Sequence, residues 1–290
     1  MLNFDLHSHS TASDGSLSPT ALIHRAKQQG VDVLALTDHD TLAGLAEAAR
    51  AAQEVGLTLL PGVEISTSWE GRTLHIVGLG IDPHNRALQE GLEGLQTIRR
   101  QRAMEMGARL EKAGIPDAYA GAQRLAQDDN ITRTHFAQYL VEMGKARSIS
   151  DVFNRYMVSG KPGYVKTEWA PLSDAVAWIN QAGGVAVIAH PDRYQLTAAR
   201  FRPLLEEFVA QGGCGIEVVY SGCSRDITLR NRDFAKKYNL AGSRGSDFHT
   251  PGYSWVELGK LPPLPQELLP IWEHPRFPQQ LLAHLAVGGV

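Results

Sequence analysis

His7 and His9 stand two residues apart in DLHSHS. On a strand, positions i and i+2 point to one face, about 7 Å apart along the chain. Two imidazoles placed so could share a metal ion, although two unrelated surface histidines would show the same spacing. Further residues of the same types recur along the chain. Asp14 sits in SDG, and Asp38, His39 and Asp40 fall in TDHD. Glu64 lies in GVEIS, His75 in TLHIVG and His190 at the end of VAVIAH, and Asp247 and His249 close GSDFH. A His, Asp and Glu set without cysteine suits Mn²⁺, Fe²⁺ or Zn²⁺ rather than a thiolate site, with Mn²⁺ favoured. His7, His9, Asp14, His39, Glu64, His75, His190, Asp247 and His249 are too many ligands for one ion. At roughly three to four protein ligands per ion, with one shared carboxylate, they suit two or three. Closely spaced metals polarise an ester oxygen and generate hydroxide at neutral pH. Phosphoester hydrolysis is the reaction that most needs both effects.

The elements that must position these residues alternate. FDLHSHS is a strand candidate, followed by a helix in SPTALIHRAKQQG with Ser18 as N-cap, Pro19 at the first helical position and Gly30 past the end. VDVLALTDHD, LTLLPGVEIS and RTLHIVGLG read as further strands, with TLAGLAEAARAAQEVG as a helix between the first two. This rhythm predicts parallel strands with helices outside. From about Arg86 to Val165 the rhythm gives way to a long helix and two shorter ones, and the next strand-like stretch is GYVKTE. It then resumes through VAVIAH, CGIEVVYSG and LAGSRGSDFH. The expected organisation is a barrel domain over 1–85 and 166–290 and an inserted helical cap over 86–165. About seven strands result. A doubly wound sheet would also give the alternation, but there the polar strand ends would spread along a line. In a barrel they converge on one face. Convergence favours an α/β fold with a closed or nearly closed barrel.

The chain has 290 residues, is 43% hydrophobic and 20% charged, and carries a net charge of −3. These values fit a soluble globular protein and provide no global field for duplex DNA or an anionic membrane. No run approaches the roughly 18 apolar residues of a membrane span, and MLNFDLHSHS lacks the basic and apolar regions of a signal peptide. Cys214 and Cys223 form no C-x-x-C, so a reducing cytoplasm is the expected compartment. Charge is not uniform, since residues 86–168 hold 13 Lys/Arg against 10 Asp/Glu. A mildly basic cap above an acidic metal site would attract a polyanion. Arg133 and Lys166 flank the cap where it meets the barrel and are candidate phosphate contacts, Arg133 being suited to bidentate binding. Arg193, Arg244 and His135, the last in TRTHFA, are further candidates for substrate binding. Asp247 or His249 could also move a proton, and Arg133 is counted with them as a catalytic candidate. Tyr139, Tyr164 and Trp169 could stack on a base, although such residues are more often core.

These motifs resemble the PHP (polymerase and histidinol phosphatase) superfamily. The matching elements are HSH at 7–9, SDG at 13–15, TDHD at 37–40, the glutamate of GVEIS, the histidine of TLHIVG, AHP at 189–191 and GSDFH at 245–249. They cover residues 1–83 and 165–255. The resemblance implies a distorted seven-stranded (β/α) barrel with a metal cluster, often trinuclear, at its C-terminal face. It also implies a division of ligands. His7, His9, Glu64 and Asp247 would hold one ion. Glu64 would bridge to a second with His75 and His190, and Asp14, His39 and His249 would hold a third. The helical insertion and the R-x-H-F-A-x-Y-L stretch are similar to a stand-alone branch of 3′,5′-nucleoside bisphosphate phosphatases and 5′-to-3′ exonucleases on short RNA. Where that branch commonly has Arg-Pro-His, this chain has Arg133-Thr134-His135.

The leading expectation is therefore a phosphatase for small bisphosphorylated nucleotides such as adenosine 3′,5′-bisphosphate. An exonuclease on short RNA would use the same hydrolysis but needs an open groove. Amidohydrolysis is a different class that also uses HxH metal barrels, and the full ligand set and cap arginines count against it. A non-enzymatic metal-binding scaffold predicts decayed ligands, and a histidinol phosphatase fits poorly with the long cap. Oligomeric state is left open.

Overall fold

The computed structural model describes residues 2–126, 130–252 and 255–285. The first half contains β1 (Phe4–Asp5), α1 (Pro19–Gln28), β2 (Val33–Leu36), α2 (Leu45–Val55), β3 (Thr58–Trp69) and β4 (Arg72–Leu79). Four helices follow: α3 (Arg86–Lys112), α4 (Ala118–Ala126), α5 (Arg133–Glu142) and α6 (Ile149–Val152), the last running into a π-helical turn at Phe153–Met157. Then come β5 (Ala170–Pro171), α7 (Leu172–Gln181), β6 (Val185–Ile188), α8 (Ala198–Ala210), β7 (Gly215–Tyr220), α9 (Arg225–Lys237) and β8 (Ala241–Gly245). The α4 helix had no counterpart in the sequence reading. GYVKTE is not a strand; residues 163–168 run irregularly to β5, which pairs only with the end of β3.

Seven strands form the wall in the order β1-β2-β3-β4-β6-β7-β8. Backbone hydrogen bonds from Leu6 to Arg244, Asp247 to His7 and His9 to Phe248 join the two edges and close the barrel. Gly245 permits that closure, since a Cβ there would collide with His7. The wall is not wholly parallel as the rhythm predicted. β3 turns directly into β4 through Glu70 and Gly71, both at positive φ, and β4 runs antiparallel to both neighbours. A two-residue connection leaves no length for a crossover helix, so the strand must reverse.

Strand alternation divides the core. Val33 and Ala35 of β2, and Val185 and Val187 of β6, fill the barrel interior, while Leu34, Leu36, Ala186 and Ile188 face the helices. Ile271 and Phe277 of the C-terminal wrap belong to the interior cluster. Period two then carries Glu64 above Leu60 on β3, and His75 to the same face as Val77 and Leu79 on β4.

The α3 helix belongs to two cores. Leu88, Leu92 and Leu95 pack with the barrel's outer layer, and Ala103, Met106 and Leu110 join a separate cluster with Phe136, Leu140 and Val165. This stripe repeats at helical spacing, and Arg99, 5% exposed, occupies one of its positions.

Candidate active site

The nine candidate ligands come together in one connected network. His7 Nε2 and His9 Nε2 are 3.1 Å apart. Each is 3.3 Å from Glu64 Oε2, and they are 3.4 and 3.2 Å from Asp247 Oδ1. Ligand atoms about 2.0–2.2 Å from a common ion stand roughly 3.0–3.6 Å apart in tetrahedral or octahedral geometry, so this quartet has metal-site spacing. Glu64 Oε2 is also 3.0 Å from His39 Nδ1, and Oε1 is 2.9 Å from His75 Nδ1 and 3.0 Å from His190 Nε2. Asp14 Oδ1 lies 3.2 Å from His249 Nε2, 3.9 Å from His39 Nε2 and 4.0 Å from His9 Nδ1. Three groups able to hold an ion result: His7, His9, Glu64 and Asp247; His39, Glu64 and His75; and His9, Asp14, His39 and His249. The grouping implied by resemblance differs at His39, which reaches Glu64 with one nitrogen and Asp14 with the other. His190 joins through Glu64 alone.

His75 reaches this site although it lies in mid-strand. Because β4 is reversed, its first half is level with the C-terminal ends of the parallel strands. His190 and Asp247 sit at positive φ, at 26° and 52°. Non-glycine residues tolerate such backbone only where the surroundings enforce it, and it gathers at functional sites.

The electrostatics ask for cations. Burial opposes charge on His9, yet Asp247 and Glu64 push it up to about 10. Burial likewise opposes ionisation of Glu64, but His39, His75 and His7 hold it well below the usual carboxylate range. Asp247 is held down against its burial by Arg193, His7 and His249. Asp14 Oδ1, Glu64 Oε2, His39 Nδ1 and His75 Nδ1 are buried without a hydrogen-bond partner. Buried atoms of this kind are costly unless paired or bound to a metal, so the donor set fits divalent ions.

A second set of residues holds the ligands. Glu217 of β7 accepts from His7 Nδ1 at 2.7 Å through Oε1 and from the His190 backbone N–H at 2.6 Å through Oε2. It thereby directs His7 Nε2 into the site, as carboxylate partners of metal-binding histidines do. Asp38 accepts from Ser10 N, Ser10 Oγ and Ser13 Oγ and pins the HSHS loop. Asp40 accepts from Ser66 N and pairs with Arg99 at 2.6 Å. Sequence reasoning missed Glu217 and Arg99. The signal was a lone carboxylate in an apolar strand, GIEVVY, and a lone cation in a helical core stripe.

The network opens into a cleft of about 530 Å³ between barrel and insertion. Asp14, His39 and His75 line its floor. Arg72, Arg99, Arg102, Arg133, Lys166 and Arg193 also line it. Arg102 is half-buried, its Nε enclosed without a partner. Burial and the neighbouring Arg133 and Arg99 pull it down to about 9. Trp169 lines the cleft, and the Arg99 and Arg102 guanidinium groups lie over its ring at 5.1 and 5.4 Å. Tyr139 belongs to the cluster formed with Phe136 and Leu140 and donates to the Pro116 carbonyl.

Two predicted substrate contacts are placed elsewhere. Arg244 does not line the cleft; it donates to Asn3 Oδ1 and the Leu261 carbonyl, both at 3.2 Å, near the start of β1. Its position just before GSDFH suggested the site, but alternation along β8 turns it away. His135 is buried, and its Nδ1 accepts the Thr132 backbone N–H in a capping box at the start of α5. Thr134 lines the cleft in its stead. Arg193 reaches the cleft but is paired with Asp247.

The PHP domain matches residues 5–218. The chain belongs to that family. Two relatives share about its whole length. A Haemophilus influenzae protein named 5′-3′ exoribonuclease is 51% identical over 270 residues, covering 93% of this chain and 98% of its own. A Chromobacterium violaceum protein named 3′,5′-nucleoside bisphosphate phosphatase is 48% identical over 273 residues, covering 94% of this chain and 96% of its own. A solved structure from Chromobacterium violaceum, described as an amidohydrolase with bound sulfate and no metal, superposes with a TM-score of 0.90 at 47% identity. That match covers 97% of this chain and 96% of the other. For this PHP domain, the closed seven-stranded wall is the expected barrel. Among the described residues, no helix is long and apolar enough to cross a membrane.

Proposed function

We propose that this PHP protein removes the 3′-phosphate from 3′,5′-bisphosphorylated nucleotides, such as adenosine 3′,5′-bisphosphate, leaving a nucleoside 5′-monophosphate. It is a metal-dependent phosphoric ester hydrolase. The observation that carries the substrate reading is the junction of a His/carboxylate network with a cleft lined by cations.

His7, His9, Glu64 and Asp247 would hold one ion, Glu64 with His75 and His190 a second, and Asp14, His39 and His249 a third, with Mn²⁺ the favoured metal. His39 stands between the last two. Bound there, divalent ions supply Lewis-acid activation of water and of the phosphoryl group. The chain's own residues orient the substrate. Arg133 and Lys166, with Arg99 and Arg102, would hold the phosphate that is not cleaved and so align the one that is. Arg102 supports this assignment, since a half-buried guanidinium whose Nε lacks a partner, beside Arg133 and Arg99, gains from an anion. His249 donates its Nδ1–H to the Asp247 carbonyl at 2.9 Å and turns Nε2 toward Asp14, where it would offer a lone pair to a bound ion. Both Asp247 oxygens are engaged as well. With both ends of each side chain engaged, these two residues would act as ligands first. Residues 86–165 serve as the cap over a barrel of 1–85 and 166–290. The free thiols of Cys214 and Cys223 suit a reducing cytoplasm.

The second reading, 5′-to-3′ trimming of short RNA, is favoured by the name of the 51% identical relative. It uses the same ligands and a longer substrate. The amidohydrolase description of the superposed structure belongs to C–N bond hydrolysis, and a cleft with this many cations suits an anionic ester better than a neutral amide. Phosphate release from adenosine 3′,5′-bisphosphate, compared with mononucleotide release from a short 5′-phosphorylated RNA by the Mn²⁺-loaded protein, separates the first two readings. The expected result is a large preference for the bisphosphate. Equal or faster release from RNA would make the protein an exonuclease.

A further inference from the structure

We infer that Thr134 is a positioning residue that ties the helical insertion to the Asp14 corner of the site and sets which Asp14 oxygen faces the histidines. The inference rests on the metal-site reading above. Thr134 lies in the first turn of α5, where its backbone N–H donates to the Thr132 side chain at 3.2 Å. Its hydroxyl donates to Asp14 Oδ2 at 3.1 Å. The other oxygen, Oδ1, is buried, has no hydrogen-bond partner, and points at His249, His39 and His9. A terminal carboxylate torsion is broad and roughly two-fold, so an acid on a loop has no intrinsic reason to hold one orientation. Asp14 is such a residue, on the turn after β1, and Thr134 supplies the constraint from the opposite side of the cleft.

A second bond strengthens the tie. Asn130, just before α5, donates through Nδ2 to the His39 carbonyl at 3.0 Å and to the Ala12 carbonyl at 3.3 Å. One short segment of the insertion thus grips both loops that carry Asp14 and His39.

The test is an Mn²⁺ titration of the metal-stripped protein, with free Mn²⁺ followed by electron paramagnetic resonance. Wild type and Thr134→Ser should give the same isotherm. Thr134→Val keeps the shape and removes the hydroxyl, and it should weaken one class of sites about tenfold. Asp14→Asn should weaken the same class. With Mn²⁺ limiting, Thr134→Val should lower kcat while KM for the bisphosphate holds, because Arg133 is untouched. Thr134→Ala serves if the valine variant does not fold. Wild-type isotherms in the variants would overturn the role of Thr134 and leave the metal site standing. A wild-type protein that takes up no Mn²⁺ would overturn both, and would show it before any variant is made.

Discussion

Replacing Glu217 by Gln tests whether the site depends on residues that touch no substrate. The side chain keeps its size but loses one of two acceptors. At present Oε1 accepts from His7 Nδ1 and Oε2 from the His190 N–H, both within 2.7 Å and both buried. An amide can satisfy only one of them. If its oxygen stays with the His190 N–H, its NH₂ faces His7 Nδ1. That imidazole must then carry its proton on Nε2, the atom 3.3 Å from Glu64 and 3.4 Å from Asp247. A protonated Nε2 cannot bind a metal. If the amide turns over, the His190 N–H loses its acceptor, at a cost of about 1–3 kcal/mol. Loss of such a partner typically weakens metal affinity about 10- to 100-fold, or roughly 1.4–2.7 kcal/mol. Mn²⁺ isotherms and kcat/KM at limiting Mn²⁺ should both fall by that factor, with the circular dichroism spectrum unchanged. Affinity within twofold of wild type, together with unchanged denaturation, would refute the argument that Glu217 sets the His7 tautomer.

Arg133→Ala and Arg102→Ala should each raise KM for adenosine 3′,5′-bisphosphate about tenfold or more while changing hydrolysis of a plain aryl phosphate little; equal loss on both substrates would remove them from the second phosphate. Arg244→Ala should behave in the opposite way. It loses the bonds to Asn3 and Leu261, so urea denaturation should show about 1–2 kcal/mol less stability with KM unchanged; a raised KM would return Arg244 to the cleft. Gly245→Ala should lower both stability and Mn²⁺ uptake, since a methyl group there collides with His7. Normal uptake would mean that the β1–β8 seam has slack.

The ligand set was legible in the sequence because residue type and local period carry it. HxH just past a strand, the TDHD and GSDFH loops and the glutamate of GVEIS declare themselves without knowledge of their neighbours. Strand number followed from the same alternation, and helix starts such as Ser18-Pro19 from capping chemistry. Chain direction and partners were not local. Only the tertiary pairing showed that β4 runs backwards and so delivers His75 to the face that Glu64 reaches on β3. Proximity in sequence also misled: Arg244 precedes GSDFH yet turns away from the cleft to Asn3 and Leu261, and His135 follows Arg133 yet caps its own helix. Glu217, Arg99 and Thr134 acquire their roles from bonds spanning 210, 59 and 120 residues. What the chemistry requires is written in single side chains and their spacing. Which side chains hold those ligands in register depends on contacts between distant segments, and these exist only once the barrel has closed and the helical insertion has packed over it.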